Sequence, residues 1–180
     1  DHGLPGLAAS PLGAIKMWLF ARTDAVVAMS GSSLRELQQA GYPTSRVLRT
    51  PNGIRIDGSC RDYSGQGGSE GPCRIVYVGR LGPGKGLEDL LGVWPSVVER
   101  SPCQVQLELW GNGPLMGQLQ DLSRRLGVES SVFMRGHVDS VTDRLRSTDI
   151  FVLLSAGEGN SNAILEAMAA GLPVISTRVG

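Results

Sequence analysis

Two carboxylates, Glu158 and Glu166, stand eight positions apart in the stretch GEGNSNAILEAMAAGLPVISTRVG, residues 157–180. Between them Gly159, Asn160, Ser161 and Asn162 are small or polar, suited to capping a helix while leaving its first backbone N–H groups open to a ligand. Such a helix start attracts anions and hydroxyls, and ionised carboxylates accept hydrogen bonds from hydroxyls. The chemistry on offer is recognition of a hydroxyl-rich, anionic molecule. Spacing alone equally allows two ordinary acids on a solvated helix, so the choice falls to the rest of the chain.

Upstream, VGRLGPGKG at residues 78–86 carries Gly79, Gly84 and Lys85 at the glycine and lysine spacing of a phosphate-binding P-loop. The match stops at Gly86, where a P-loop has the Ser or Thr whose hydroxyl holds magnesium. What survives is simpler: Arg80 and Lys85 in a glycine-loosened loop can place two positive charges on a diphosphate, Arg as a fork and Lys as a point charge. The competing reading is a pair of solvated loop cations. GNGP at residues 111–114 lets backbone approach a ligand closely through Gly111 and Gly113, but it is not GxGxxG, because the next glycine is Gly117. RGHV at residues 135–138 can offer backbone groups to a nucleobase near His137 and Val138, with a plain loop histidine as the alternative.

The missing motifs narrow the field. There is no HExxH, no GxSxG and no Asp-x-Asp pair, so no metal site is expected and cationic side chains must do what magnesium would otherwise do. With 17 Lys+Arg against 17 Asp+Glu the formal charge is zero, which disfavours nucleic acid as a partner. The 3 cysteines, Cys60, Cys73 and Cys103, have no metal-ligand spacing and fit a reducing compartment better than a disulfide framework. No apolar run reaches the roughly 18–20 residues of a membrane span. The chain opens on Asp1 rather than Met and stops at Gly180 just after a strand, and a piece of a longer protein is the expectation.

The elements that must position these groups can be read in order. A buried helix is expected over residues 12–22, a strand over 24–29, a helix capped by the Ser33–Glu36 pair and stopped at Gly41, and a strand over 46–50. Residues 57–72, DGSCRDYSGQGGSEGP, hold almost nothing apolar and read as a linker, which divides the chain into 1–56, 57–72 and 73–180. Beyond it strand and helix alternate: strands at 74–79, 105–110, 132–134, 150–154 and 173–176, helices at 87–98, 115–126, 141–147 and 162–170, with Pro95 near the end of the first. Alternation with short connections predicts a parallel, Rossmann-like sheet flanked by helices, an α/β fold. Ligands of such sheets bind at the carboxyl ends of the strands, where all four loops above lie.

Together VGRLGPGKG, WGNGPL, FMRGHV and STDIFVLLSAGEGNSNAILEAMAAGLPVISTRVG, in that order and separation, resemble the GT-B-fold glycosyltransferases of family 4, the group-1 glycosyl transferases. DAVVAMSGSS and VLRTPNGI resemble the end of that family's N-terminal domain. The resemblance implies two facing Rossmann-like domains, here an incomplete C-terminal donor domain plus a remnant of the N-terminal one, and a fragment inactive in isolation. It implies a retaining, metal-independent sugar transfer in glycan biosynthesis, without a cofactor, from a nucleotide sugar such as a UDP- or GDP-sugar to a sugar, lipid-linked or other hydroxyl acceptor. Residue by residue, it gives Arg80 and Lys85 the diphosphate, Glu158 the donor sugar's hydroxyls, Gly159, Asn160 and Ser161 a share in sugar or phosphate, and Glu166 the ribose. Gly79, Gly111, Gly113, His137 and Val138 complete the donor site, and His2 matches the family's cleft histidine. Cytoplasmic placement at the inner face of a membrane, with peripheral association, accompanies it. Two departures are visible: Asn160 where an aromatic is common, and Trp110 where a smaller aliphatic is usual. A GT-B-fold epimerase and a non-catalytic nucleotide-diphosphate module are the alternatives, though an epimerase has no need of the Glu-x7-Glu segment.

Overall fold

A computed structural model describes residues 15, 18, 19, 21–54, 71–158 and 160–179. Most of the helix expected over 12–22, the linker over 57–70, and the site candidates His2 and Gly159 lie outside the described residues. The chain divides into a unit ending at Gly53 and a unit spanning Ile54–Val179.

In the first unit, β1 (Val26–Ala28) and β2 (Val47–Arg49) pair in parallel, with Val26 opposite Val47. Helix α1 (Gly31–Gln39) connects them and packs Leu37 against Ala28 and Tyr42. The expected Ser33–Glu36 capping box is corrected: Ser30 is the N-cap, its Oγ accepting the Ser33 N–H at 3.1 Å. Three serines in SGSS offer the same chemistry, and the early end of β1 at Ala28 lets the first of them take the role.

The second unit holds five parallel strands in the order β5-β4-β3-β6-β7. They are β3 (Cys73–Val78), β4 (Val105–Trp110), β5 (Val132–Gly136), β6 (Ile150–Leu153) and β7 (Val174–Ser176). Helices α2 (Leu87–Arg100), α3 (Met116–Arg125), α4 (Val141–Leu145) and α5 (Asn162–Ala169) make the crossovers. Each strand contributes β-branched or leucine residues to one continuous core that includes Val76, Leu107, Leu109, Phe151 and Val152, covered by Leu91 and Trp94 of α2, Leu119 of α3 and Ala167 of α5. Pro95 lies inside α2 rather than near its end. Burial of Leu91 and Trp94 beside it carries the helix on to Arg100 against a proline penalty of about 3 kcal/mol.

Strands β3, β4 and β5 step outward in sequence, and the chain then returns to the other side of β3 to lay down β6 and β7. The order therefore reverses beside β3. Such a switch point opens a crevice at the carboxyl ends of the two strands that flank it, and here it brings the loops after β3, β4 and β6 to one rim.

Candidate functional site

The loops after β3 and β4 are laid against each other by backbone alone. Gly79 N–H donates to the Trp110 carbonyl at 2.9 Å, Leu81 N–H to that of Asn112 at 3.0 Å, and Leu115 N–H to that of Leu81 at 3.0 Å. The approach is close enough that a Cβ on Gly111, whose φ is +139°, would stand 2.0 Å from the Gly79 carbonyl oxygen. Only glycine serves there. The loop after β6 joins from the other side, where Ala156 N–H donates to the Gly84 carbonyl at 2.8 Å. Gly86, with φ +65°, would push a Cβ to 2.2 Å from the Leu154 carbonyl oxygen. That contact explains why the position cannot carry the Ser or Thr of a P-loop.

On this frame Lys85 Nζ donates to Glu158 Oε1 at 2.6 Å, the side chains 28% and 18% exposed. The cation and the carboxylate singled out in two distant stretches of sequence thus meet directly. Arg80 is exposed and has no acidic partner among the described residues. Glu166 is the fifth residue of α5, one turn into the helix and two turns' worth of sequence from Glu158. It is half-buried, and burial holds its carboxyl above the ordinary range. Ser161 caps α5, accepting the Ile164 N–H at 3.5 Å, and Asn160 precedes it, partly buried.

A cavity of about 300 Å³ opens beside the loop frame, lined by Val78, Gly79, Arg80, Trp110, Gly111, Asn112, His137, Val138 and Val141. Five expected donor-site residues from three separate loops, Gly79, Arg80, Gly111, His137 and Val138, thus share one wall. His137 is 78% exposed, with Nε2 3.3 Å from Asp139 Oδ1. Gly113 lies in the loop behind, where an added Cβ would stand 2.2 Å from the Leu81 carbonyl oxygen.

Three supporting residues escape sequence reasoning. Tyr77, 1% exposed, donates its hydroxyl to the Arg80 carbonyl at 3.0 Å and so props the cationic loop from below. Its phenol is pushed up to about 12, by burial first and then by the negative charge of Glu158. Ser155, fully buried, has its Oγ 3.2 Å from the carbonyl oxygens of both Gly84 and Gly157, stitching the loops after β3 and β6. Glu108, in mid-strand, accepts from Trp110 Nε1 at 2.7 Å and from Arg135 at 2.8 Å. A charge inside VQLELW was its only outward signal.

Residues 72–180 match the family of Glycosyl transferases group 1. The chain belongs to that family. Among curated relatives, an uncharacterised glycosyltransferase of Methanocaldococcus jannaschii is 38% identical over 108 residues, covering 59% of this chain and 27% of that protein. The N-acetyl-alpha-D-glucosaminyl L-malate synthase of Bacillus anthracis is 29% identical over 167 residues, covering 88% of this chain and 42% of that protein. The glycogen synthase of Mycobacterium tuberculosis is 30% identical over 172 residues, 93% of this chain and 40% of that protein. The chain thus spans less than half the length of these relatives. Anabaena HepE in complex with UDP and glucose superposes with a TM-score of 0.80 at 24% identity, covering 99% of this chain and 49% of that one. The lipopolysaccharide glycosyltransferase WaaG superposes at 0.71 and 22% identity, over 83% and 43%. These neighbours share the GT-B glycosyltransferase fold expected from sequence. No helix among the described residues is long and apolar enough to cross a membrane.

Proposed function

We propose that this chain carries the donor site of a glycosyltransferase that moves a sugar from a nucleoside-diphosphate sugar to a hydroxyl acceptor, with retention at the anomeric carbon and without a metal ion. The observation that carries the reading is the direct meeting of Lys85 with Glu158 at a topological switch point, 2.6 Å apart, with Lys85 in the same glycine-built loop as the exposed Arg80. Complexes of structural neighbours with UDP and glucose, or with UDP and GlcNAc, support a nucleotide-sugar ligand.

In this mechanism the diphosphate displaces Glu158 from Lys85, so that one ion pair becomes two useful interactions. Lys85 and Arg80 take the phosphate oxygens, and Glu158 is released to accept hydrogen bonds from the donor sugar. The bond between the sugar's C1 and the β-phosphate oxygen breaks with its electron pair passing to that oxygen. The acceptor hydroxyl then bonds to C1 on the face the diphosphate leaves, and its proton passes to the departing diphosphate oxygen. Cations fixed before the reaction favour the charge that grows on the leaving diphosphate, and such preorganised groups act on the transition state more than on the ground state. Glu166, half-buried on α5, accepts from the ribose. Neither glutamate needs to exchange a proton, which separates the site from the acid and base pair of a hydrolase. A cytoplasmic enzyme working on a sugar or lipid-linked acceptor at a membrane face fits this reading.

Calorimetry with UDP, GDP and ADP sugars tests it: at least one should bind, and binding should survive EDTA. Silence with every sugar nucleotide would sink the reading. The anomeric coupling constant of the product, read by proton NMR, tests retention.

A further inference from the structure

A second cavity, of about 370 Å³, is lined by Arg74, Glu108, Trp110, Arg135, Arg144 and Ser147, none of which serves the mechanism above. Guanidinia come to it from β3, β5 and α4. Side chains alternate along a strand, and the register sets the strand residues on one face: Arg74 stands opposite Gln106, two residues from Glu108, and Phe133 stands opposite Glu108, two residues from Arg135. Glu108, 7% exposed, accepts from Trp110 Nε1 at 2.7 Å and from Arg135 at 2.8 Å, so the cavity's one carboxylate has both oxygens engaged. The Arg135 guanidinium rests 4.9 Å from the Phe133 ring centroid and keeps most of its N–H donors beyond the one given to Glu108. Arg74 and Arg144 are exposed, and neither has an acidic partner at ion-pair distance among the described residues. Acids of the adjoining chain are placed elsewhere: Asp149 accepts the Arg74 backbone N–H at 2.8 Å, and Asp143 meets Arg146 at 3.5 Å. Three guanidinia against one carboxylate leave the cavity two charges positive, in a chain whose formal charge is zero. Like charges around an open space repel, and an anion between them relieves that repulsion.

We propose that this cavity is a binding site for a phosphomonoester, separate from the donor site. A phosphomonoester carries about two negative charges near pH 7 on three terminal oxygens, which matches the excess charge and offers an oxygen to each arginine. Arg forks grip phosphate oxygens at two points, whereas a carboxylate brings half the charge and one oxygen fewer. The volume is that of a small-ligand pocket, enough for the phosphate and a sugar-sized body. The donor-side cavity, lined by Arg80 and His137, shares only Trp110 with this one, and the Trp110 indole N–H is engaged by Glu108. The site stands independently of the nucleotide-sugar reading, because it has no cation in common with the donor rim.

Calorimetry on the full chain tests the site with glucose 6-phosphate, inorganic phosphate and glucose as probes, and with UDP as the probe of the donor rim. Glucose 6-phosphate and phosphate should bind to the wild type and glucose should not, and saturating UDP should leave that binding in place. Arg74→Gln and Arg144→Gln should each weaken glucose 6-phosphate about tenfold or more, the scale of a lost charge-assisted hydrogen bond, while UDP affinity holds. Arg80→Ala should do the reverse. Vesicles of phosphatidylcholine with phosphatidic acid separate the two sources of a phosphomonoester: vesicle binding that falls in Arg74→Gln supports the site with a lipid headgroup as ligand, and glucose 6-phosphate binding without it supports a soluble one. Unchanged phosphomonoester affinity in both arginine variants overturns the proposal. So does displacement by UDP, which would put the phosphate on Arg80 and Lys85, and so does an equal loss of UDP affinity in the variants, which would assign the effect to the fold. Acetate competing as well as phosphate at equal ionic strength overturns it too, because a diffuse positive surface does not distinguish the two. A wild type that binds neither the phosphates nor the vesicles overturns it outright, whereas failure of sugar nucleotides and UDP alone sinks the nucleotide-sugar reading and leaves this site standing.

Discussion

Two ion pairs of the same sheet make opposite uses of the same chemistry. Lys85–Glu158 joins the loops after β3 and β6, with both side chains partly open to solvent at 28% and 18%. Glu108–Arg135 joins β4 to β5, the Glu108 side chain 10% exposed against 47% for Arg135, and its carboxylate already committed at the second oxygen to Trp110. Burial pushes the Glu108 carboxyl up, but the hydrogen bonds from Arg135 and Trp110 outweigh it and hold the group below its usual range. A pair with spare valences and water beside it can exchange partners with a ligand. A buried carboxylate with both oxygens engaged can only hold something still, even though its Arg135 partner is 47% exposed. Charge at the rim is thus available for chemistry, and charge one layer down is structural.

The largest expected effect separates these uses. In a full-length protein that contains this chain, Arg80→Ala and Lys85→Ala should each lower sugar transfer by about 10²-fold or more, as removal of a preorganised transition-state donor does. Urea unfolding of the same variants should move by less than about 1 kcal/mol, the usual worth of a partly exposed pair. Wild-type turnover in Lys85→Ala would break the comparison by showing its ion pair to be ornamental.

Arg135→Ala should show the reverse pattern. It leaves Glu108 buried with one oxygen unmatched, which costs about 1–3 kcal/mol, visible as a lower urea midpoint, while transfer at saturating donor changes little. The sign with pH follows from the lowered carboxyl: Glu108 contributes stability that is present above the unfolded carboxylate pKa and is lost as pH falls through its lower folded value. The wild type should therefore outlast Arg135→Ala most clearly near neutrality, and the gap should close in acid.

Much of this frame was legible beforehand because it depends on local pattern. Strand β4 falls on the expected residues 105–110, and α5 ends one residue short of expectation. Arg80, Lys85, Glu158 and Glu166 stood out as candidates because glycine loops and a helix start announce themselves by residue type, while the roles assigned to them came from the family resemblance. What escaped depends on tertiary partners. Glu108 needs Arg135, 27 positions away; Ser155 needs the Gly84 carbonyl, 71 away; and Tyr77 reads as one more apolar strand residue until its hydroxyl meets the Arg80 carbonyl. Gly86 shows the limit from the other side, since its departure from a P-loop was plain but the Leu154 carbonyl that requires it was not.

A smaller effect sharpens the rim itself. Burial raises the Glu166 carboxyl above the ordinary carboxylate range, and a ribose diol needs the ionised form as acceptor. Donor affinity should therefore weaken as pH falls into the raised range of that carboxyl, and calorimetry across the acid range measures it. Glu166→Gln should bind donor more weakly and with a flatter pH profile.

The smallest effect concerns what separates rim from frame. Tyr77 lies between them: its ring is core, its hydroxyl supports the Arg80 carbonyl, and the nearby charge of Glu158 disfavours its phenolate. Tyr77→Phe keeps the ring and removes one neutral hydrogen bond, for which a loss of about 1 kcal/mol is expected. The pH dependence is more telling than the magnitude. Because the folded phenol is raised to about 12, the fold keeps it protonated where the unfolded chain would ionise it, so its stability is complete below the ordinary phenol value of 10.0 and drains away as pH rises toward the folded value. Subtracting the Tyr77→Phe stability curve from the wild-type curve isolates that loss from other alkaline titrations. A flat difference between pH 9 and 11, in the window set by that raised phenol, would mean the hydroxyl is wet, and the cationic loop would then lack the rigid prop that distinguishes a preorganised site from two cations on a loop.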